Sequence, residues 1–429
     1  MERKIIKKLI KWKNAEKDRM PLLLYGARQV GKTYTAKEFG SAYYKDTVYI
    51  NFEKMEEARD FFTGDLDPSR IIRLLENKAR AKILPEKTLL IFDEIQSCAR
   101  ALTSLKYFAE EAPEYHVVAA GSLLGVAINR ENHSFPVGKV FMETLYPLDF
   151  EEFLRANGET VLLNMMEERV ESMTPMPDVW HHKALEYYRM YTLTGGMPAV
   201  VKRFIDRGQS VLEAAELQEL IVSAYKNDMS KYASKSDAVK ILACYESIPA
   251  QLAKDNKKFQ YKMVRKGGNA SLFGDSLEWL SAAGVILKCS KTKGLTPPSV
   301  YADPSSFKVY LNDAGLLACR NNLTWDSLLS EERLFAGGLA ENYVACQLKA
   351  SGYPLFYWES DNTAEVDFLI QKSGAVIPVE CKANLHAKSK SLEVYKSRYK
   401  PEYSIRLSAK NFGYGNGIKA IPLYATCLI

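Results

Sequence analysis

The segment Gly26-Ala27-Arg28-Gln29-Val30-Gly31-Lys32-Thr33, set between the apolar run Leu22-Leu23-Leu24-Tyr25 and the helix-compatible stretch Thr35-Ala36-Lys37-Glu38-Phe39, decides how this chain is read. It satisfies G-x-x-x-x-G-K-[ST] at every specified position, in the strand–loop–helix context that the pattern requires. Two glycines let backbone N–H groups curl around a phosphate with no Cβ in the way, and the following helix turns its positive end toward the same point. The expected nucleotide contacts are Gly26, Arg28, Gln29, Val30, Gly31, Lys32 and Thr33. Lys32 is placed to reach the β- and γ-phosphates of ATP, and the Thr33 hydroxyl to ligate Mg²⁺.

A second constellation lies downstream. Thr88-Leu89-Leu90-Ile91-Phe92 is a continuous apolar run of the kind a buried parallel strand shows, and it ends in Asp93-Glu94. Open α/β sheets hold their ligands at the carboxyl ends of such strands. Asp93 suits the Mg²⁺ role beside Thr33, while Glu94 is positioned to polarise an attacking water. The run His116-Val117-Val118-Ala119-Ala120 closes in Gly121-Ser122, which makes Ser122 the candidate sensor of the γ-phosphate or of that water. Further strand candidates are Thr47 to Phe52 and Lys139 to Leu145, and a helix candidate runs through Leu105-Lys106-Tyr107-Phe108. Strands alternating with helices over residues 1–155 predict a doubly wound parallel sheet.

Composition frames this reading. With 429 residues the chain has material for several domains, and its formal net charge of +6 is compatible with nucleic acid without requiring it. Seven cysteines are scattered and form no C-x-x-C pair, as expected of reduced thiols in a cytoplasmic protein rather than of disulfides or a zinc site. The His181-His182 doublet has no spaced partner and reads as a surface feature. Residues Met1 to Asn14 form a basic amphipathic helix candidate, with Ile5, Ile6, Leu9, Ile10 and Trp12 among lysines, expected to pack beside the nucleotide-binding core. It lacks the apolar core of a signal peptide, and no apolar run is long enough to span a membrane, so no membrane partner is expected.

The phosphate loop together with Ile91-Phe92-Asp93-Glu94-Ile95-Gln96, Ala120-Gly121-Ser122, Tyr146-Pro147-Leu148-Asp149-Phe150-Glu151-Glu152-Phe153 and Gly195-Gly196-Met197-Pro198 resembles a prokaryotic family of AAA-type P-loop ATPases. Members of that family join the ATPase to a C-terminal winged-helix and restriction-endonuclease-like region. The resemblance covers nearly the whole chain. The family usually places an arginine after a glycine shortly before the Pro-Leu segment. Here Gly138 is followed by Lys139, which supplies charge but no bidentate fork. Arg28, Arg100 and Arg130 are left without a role.

The remaining chain divides by pattern into a helical stretch over 156–235, expected as a lid, and a winged helix over 236–325, and the resemblance implies an α/β endonuclease-like domain over 326–429. In the winged-helix region, a helix candidate from Ile241 to Leu252 is interrupted at Ser247-Ile248-Pro249, and a lysine-rich stretch runs from Lys254 to Lys266. A second helix, Ser271 to Ala283, would enter a major groove, and Lys288 to Pro304 would form the wing. Lys254, Lys257, Lys258 and Lys262 are the expected phosphate contacts. At the end of the chain, Glu365-Val366-Asp367 and Val379-Glu380-Cys381-Lys382 lie on two strand candidates, with Glu341 on a helix candidate upstream. They resemble the PD-(D/E)xK nuclease arrangement. The resemblance implies Asp367 and Glu380 as Mg²⁺ ligands, Lys382 as the water-activating residue and Glu341 as an auxiliary ligand. The expected protein is an ATP-hydrolysing AAA-type enzyme that couples nucleotide state to DNA binding and carries a Mg²⁺-dependent nuclease domain. The alternative is an ATP-gated DNA- or protein-binding switch whose nuclease-like domain is not catalytic. Either is compatible with a homo-oligomer.

Overall fold

In the computed structural model, the described residues are 1–15, 19–122, 135–231, 233–329, 336–360, 364–382 and 390–429, and Arg130 lies outside them. The chain forms two compact units, one of residues 2–146 with 282–284 and the other of residues 147–281 and 285–429 with Met1.

The first unit is built on five strands: β1 (Leu22–Tyr25), β2 (Asp46–Asn51), β3 (Thr88–Asp93), β4 (His116–Ala120) and β5 (Phe141–Thr144). They lie in the order β2-β3-β4-β1-β5, and every pairing is parallel. Side-chain alternation explains why both faces are covered. Leu23, Val48, Ile50, Leu90, Phe92, Val117 and Ala119 face one way, against the helices Pro68–Ala79 and Ala99–Glu111. Leu22, Leu89, Ile91 and Val118 face the other way, against Leu9 and Trp12 of the helix Ile5–Lys13 and Ala36 and Phe39 of the helix Lys32–Tyr43. The doubly wound sheet is thus present. The basic N-terminal helix spends its apolar stripe on that core, with Ile5, Leu9 and Trp12 buried.

The second unit carries eight strands: β6 (Ile286–Thr292), β7 (Asp303–Leu311), β8 (Phe356–Glu359), β9 (Glu365–Lys372), β10 (Ala375–Cys381), β11 (Ser404–Ser408), β12 (Gly413–Gly415) and β13 (Ile418–Pro422). They form one mixed sheet in the order β12-β13-β11-β10-β9-β8-β6-β7. The hairpin expected as a free wing is therefore the edge of this sheet, because β6 pairs in parallel with β8 from Ser290 to Thr292. Expected domain boundaries near 235 and 325 both fall inside this one unit.

The helices expected as a lid are likewise part of the second unit, together with the helix Phe150–Ala156 that was expected in the ATPase core. Phe150 N donates to Gln347 Oε1 at 2.9 Å, Met176 N to Asn411 Oδ1 at 2.9 Å, and Gln347 Nε2 to Tyr191 OH at 3.2 Å. His181 is buried against Tyr424, 2.9 Å from its hydroxyl, while His182 is exposed. Consecutive residues of a helix point about 100° apart, so the doublet splits between core and surface. The helix expected to break at Pro249 runs unbroken from Lys235 to Leu252.

Candidate nucleotide site and the C-terminal carboxylate cluster

The phosphate loop leaves β1 at Gly26, whose φ is +142° and where a Cβ would land on the Leu145 carbonyl oxygen. Gln29 and Gly31 are also left-handed, at φ 67° and 94°, and Gly31 caps the helix Lys32–Tyr43. That curled backbone presents N–H groups at a helix N-terminus, which is what a phosphate requires. Lys32 is buried and folds back on the loop, donating to Gly26 O at 2.8 Å and Ala27 O at 2.7 Å. Burial pulls its ammonium down to about 8, against the raising effect of Glu94 and Asp93.

The strand order brings the acidic pair to the loop. With β4 lying between β1 and β3, the ends of all three strands converge on one place. Thr33 Oγ1 donates to Asp93 Oδ2 at 2.9 Å and lies 3.1 Å from Oδ1. Glu94 sits in the left-handed region at φ 50°. Its Oε2 accepts from Gln96 Nε2 at 2.6 Å and from Ser122 Oγ at 3.3 Å. Lys32, Thr33, Asp93, Glu94 and Ser122 therefore form one constellation, while Arg28 is half-exposed near Lys32.

Four residues to which the sequence assigned no role join the site. Tyr49 OH donates to Asp93 Oδ2 at 2.7 Å and Asn51 Nδ2 to the same oxygen at 3.3 Å. Asn51 stands in register opposite Asp93, so a polar residue at the tip of the neighbouring strand was the available signal. Gln96 is the third. The fourth is Arg3, buried, whose guanidinium donates to Val30 O in the loop at 3.0 Å and to Tyr146 O at 2.7 Å. Nothing in its local sequence marks it. Arg100 instead ties the Phe62 and Gly64 carbonyls, and Lys139 pairs with Glu110 at 3.0 Å.

In the second unit, Asp367 lies on β9, Glu380 on β10 and Glu341 on the helix Ala336–Ala350, all buried. The register Val379 to Phe368 puts Glu380 opposite Asp367 on the same face. Glu380 Oε1 pairs with Lys382 Nζ at 3.0 Å. Two other lysines enter the cluster. Lys308 of β7, with no exposed side-chain surface, lies 3.5 Å from Glu341 Oε2 and 3.8 Å from Asp367 Oδ1, and also pairs with Glu365. Lys257 Nζ lies 2.7 Å from Glu341 Oε1. Asp367 Oδ2 accepts from Cys381 N at 2.8 Å, and Glu341 Oε2 from Tyr310 OH at 3.2 Å.

Burial alone would push the Lys308 ammonium down, but the Glu341, Glu365 and Asp367 carboxylates outweigh it and hold the group well above the ordinary lysine range. Burial pushes Glu341 up, yet Lys308 and Lys257 bring it below the usual carboxylate range. Asp367 is driven the other way, up, by burial and by Glu341. Among the described residues, no group of three histidine, cysteine or carboxylate side chains is arranged to hold a metal ion. Lys257 and Lys258, expected to meet DNA phosphates, point inward instead, Lys258 pairing with Glu359 at 2.5 Å.

Three family profiles match the sequence, one of them over most of the first unit. A family profile described as an AAA domain matches residues 18–154, and profiles described as domains of unknown function match residues 185–327 (DUF8612) and 336–426 (DUF4143). No curated protein matches the sequence. Among solved structures, the chain is similar to a Walker-type ATPase of Pyrococcus abyssi, at 13% identity and TM-score 0.45, covering 75% of this chain and 95% of that one. It is also similar to the ORC2 protein of Aeropyrum pernix, at 12% identity and TM-score 0.30, covering 76% and 92%. Cdc6p of Pyrobaculum aerophilum matches at 13% identity and TM-score 0.27, over 74% and 92%. The first unit is an AAA-type P-loop ATPase domain. Among the described residues, no helix is long and apolar enough to cross a membrane.

Proposed function

We propose that this chain is an ATP-hydrolysing AAA-type switch whose nucleotide state is coupled to DNA binding. The observation that carries the reading is the Thr33–Asp93 hydrogen bond at 2.9 Å, with Glu94 held alongside by Gln96 and Ser122. Lys32 exchanges its two loop carbonyls for phosphate oxygens when ATP enters. The Thr33 hydroxyl and the Asp93 carboxylate are hard oxygen donors and fit a magnesium ion, which when bound neutralises charge on the phosphates. Glu94 accepts the proton of the attacking water, and Ser122 and Gln96 orient its carboxylate. Lys32→Ala is expected to abolish nucleotide binding. Glu94→Gln keeps binding and lowers turnover by about 10²- to 10⁴-fold, the worth of a positioned base. A Glu94→Gln protein that hydrolyses ATP at the wild-type rate overturns the assignment.

For the partner, support comes from Lys254, Lys262, Arg265 and Lys266, which are exposed over a short stretch. The helix Ala270–Ala282 carries no basic residue and exposes Asp275 and Glu278, which fits phosphate contacts from the preceding stretch rather than a helix reading a major groove. Neutralising these four basic residues should flatten the salt dependence of DNA binding by about 3 to 4 in log–log slope, near 0.9 per phosphate contact. If wild-type affinity for DNA does not vary with salt, the switch acts on a protein partner.

A further inference from the structure

The PD-(D/E)xK resemblance implies a divalent ion between Asp367 and Glu380, with Glu341 nearby. The residues around those acids do not fit one. A lysine ammonium has three N–H donors and no acceptor. Lys308 sits among three carboxylates, those of Glu341, Glu365 and Asp367. Both oxygens of Glu341 are engaged, one by Lys257 and the other by Lys308 and Tyr310. Both oxygens of Asp367 are engaged too, one by Lys308 and the other by the Cys381 amide. A divalent ion entering here would compete with the fully buried Lys308 ammonium for Glu341 and Asp367 and set a second cation beside it, away from water, with only Glu365 left to Lys308.

The two lysines and the acids come from different stretches of chain. Lys257 lies in the loop between the helices Lys235–Leu252 and Tyr261–Val264, and Lys308 lies on β7, both in the region read as a winged helix. Glu341, Glu365 and Asp367 belong to the region read as a nuclease. The loop is laid along the sheet by Phe259 N donating to Phe307 O at 2.9 Å, and Lys258 and Lys291 both reach Glu359, at 2.5 and 3.1 Å.

We infer that the carboxylate cluster of Glu341, Glu365 and Asp367 is an ionic joint closed by Lys308 and Lys257, in which lysine ammoniums take the place of a divalent ion. The joint fuses the two stretches into one folding unit and takes no metal. The region keeps the strands and acids of a nuclease-like arrangement while its cation is covalently part of the chain.

The test is a titration of Mn²⁺ alone, without nucleotide, into the full chain carrying Asp93→Asn, which removes the carboxylate at the end of β3 that faces Thr33. No binding is expected at a dissociation constant of about 1 mM or below, the weak end for oxygen-ligand sites. One Mn²⁺ per chain, lost when Asp367→Asn is added, overturns the inference, as does divalent-dependent DNA cleavage that Asp367→Asn abolishes. In the same host, Lys308→Met leaves the three acids facing one another. It is expected to lower Tm by several degrees, to gain Mn²⁺ affinity by at least about tenfold, and to recover Tm when Mn²⁺ is added. A folded Lys308→Met protein with no gain in Mn²⁺ affinity also overturns the inference. If that variant does not fold, the titration of the Asp93→Asn host decides.

Discussion

The carbonyl of Tyr245 accepts a hydrogen bond from Arg320 Nη1 at 3.0 Å, and it is the carbonyl that Pro249 leaves without a helical donor. A proline in a helix interior has no N–H for the residue four positions before it. Arg320 supplies the missing donor from another helix, stacks over the Tyr245 ring at 4.1 Å and pairs with Glu246 at 2.8 Å. The helix Lys235–Leu252 is therefore continuous through a residue that ordinarily ends one.

Removing the arginine should expose this dependence. Arg320→Ala is expected to cost about 1–3 kcal/mol, the penalty of a buried carbonyl left unpaired. Pro249→Ala restores an N–H to the same carbonyl, so the double variant should be more stable than the sum of the single effects by at least about 0.5 kcal/mol. Chemical denaturation of the four proteins measures the coupling. Additive effects would show that Arg320 does not act through Tyr245.

Asp93 is held by Tyr49 and Asn51 as well as by Thr33, and these donors set where its oxygens point. Tyr49→Phe and Asn51→Ala should each raise the Mg²⁺ concentration needed for half-maximal ATP hydrolysis by about 10- to 100-fold, the usual effect of losing a group that orients a metal ligand. Saturating Mg²⁺ should recover most of the rate. A fall in rate that Mg²⁺ does not restore would place these residues outside the positioning of Asp93.

The depressed value of Lys32, about 8, makes ATP affinity sensitive to alkaline pH. Below pH 8 the free site already carries the ammonium that phosphate requires. Above it the site is largely neutral, and binding must take up a proton, because a bound phosphate favours the charged form. Affinity should fall as pH rises through 8, by up to about tenfold per pH unit. Calorimetry in buffers of different ionisation enthalpy should find proton uptake at pH 9 and almost none at pH 6.5. Equal uptake at both pH values would rule out Lys32 as its source.

Pro147-Leu148 and Gly195-Gly196-Met197-Pro198 meet in the second unit, where Leu148 N donates to Gly196 O at 2.6 Å. A Cβ at Gly196 would land on the Leu148 carbonyl, which also accepts from Tyr191 OH at 2.6 Å. Gly196 N in turn donates to the buried Asp313 at 2.7 Å. Gly196→Ala should therefore destabilise the second unit by about 1–3 kcal/mol, as overpacking does, and lower its unfolding midpoint in a thermal scan. An unchanged midpoint would show that the backbone there can yield.

The candidate nucleotide site was legible as a pattern in the sequence because its parts are local. Gly26 to Thr33 is one turn and the start of one helix, and Asp93-Glu94 ends one apolar strand, so the pattern of neighbours specifies both. Even the meeting of Thr33 with Asp93 follows from parallel strands delivering their ends to one edge. Tyr49, Asn51 and Arg3 were hidden because their roles depend on which strands and loops stand side by side. In the second unit, Asp367 on β9, Glu380 on β10 and Glu341 on its helix were placed correctly on their elements, since strand alternation and helical pattern are also local. What those acids face is not local. Lys257 was expected at DNA phosphates and Lys308 was given no role, and only the pairing of β6 with β8 carries that stretch to the acids. A charged residue reads the same in sequence whether it meets water, phosphate or a buried carboxylate. Its partner is set by the desolvation and pairing that tertiary packing imposes.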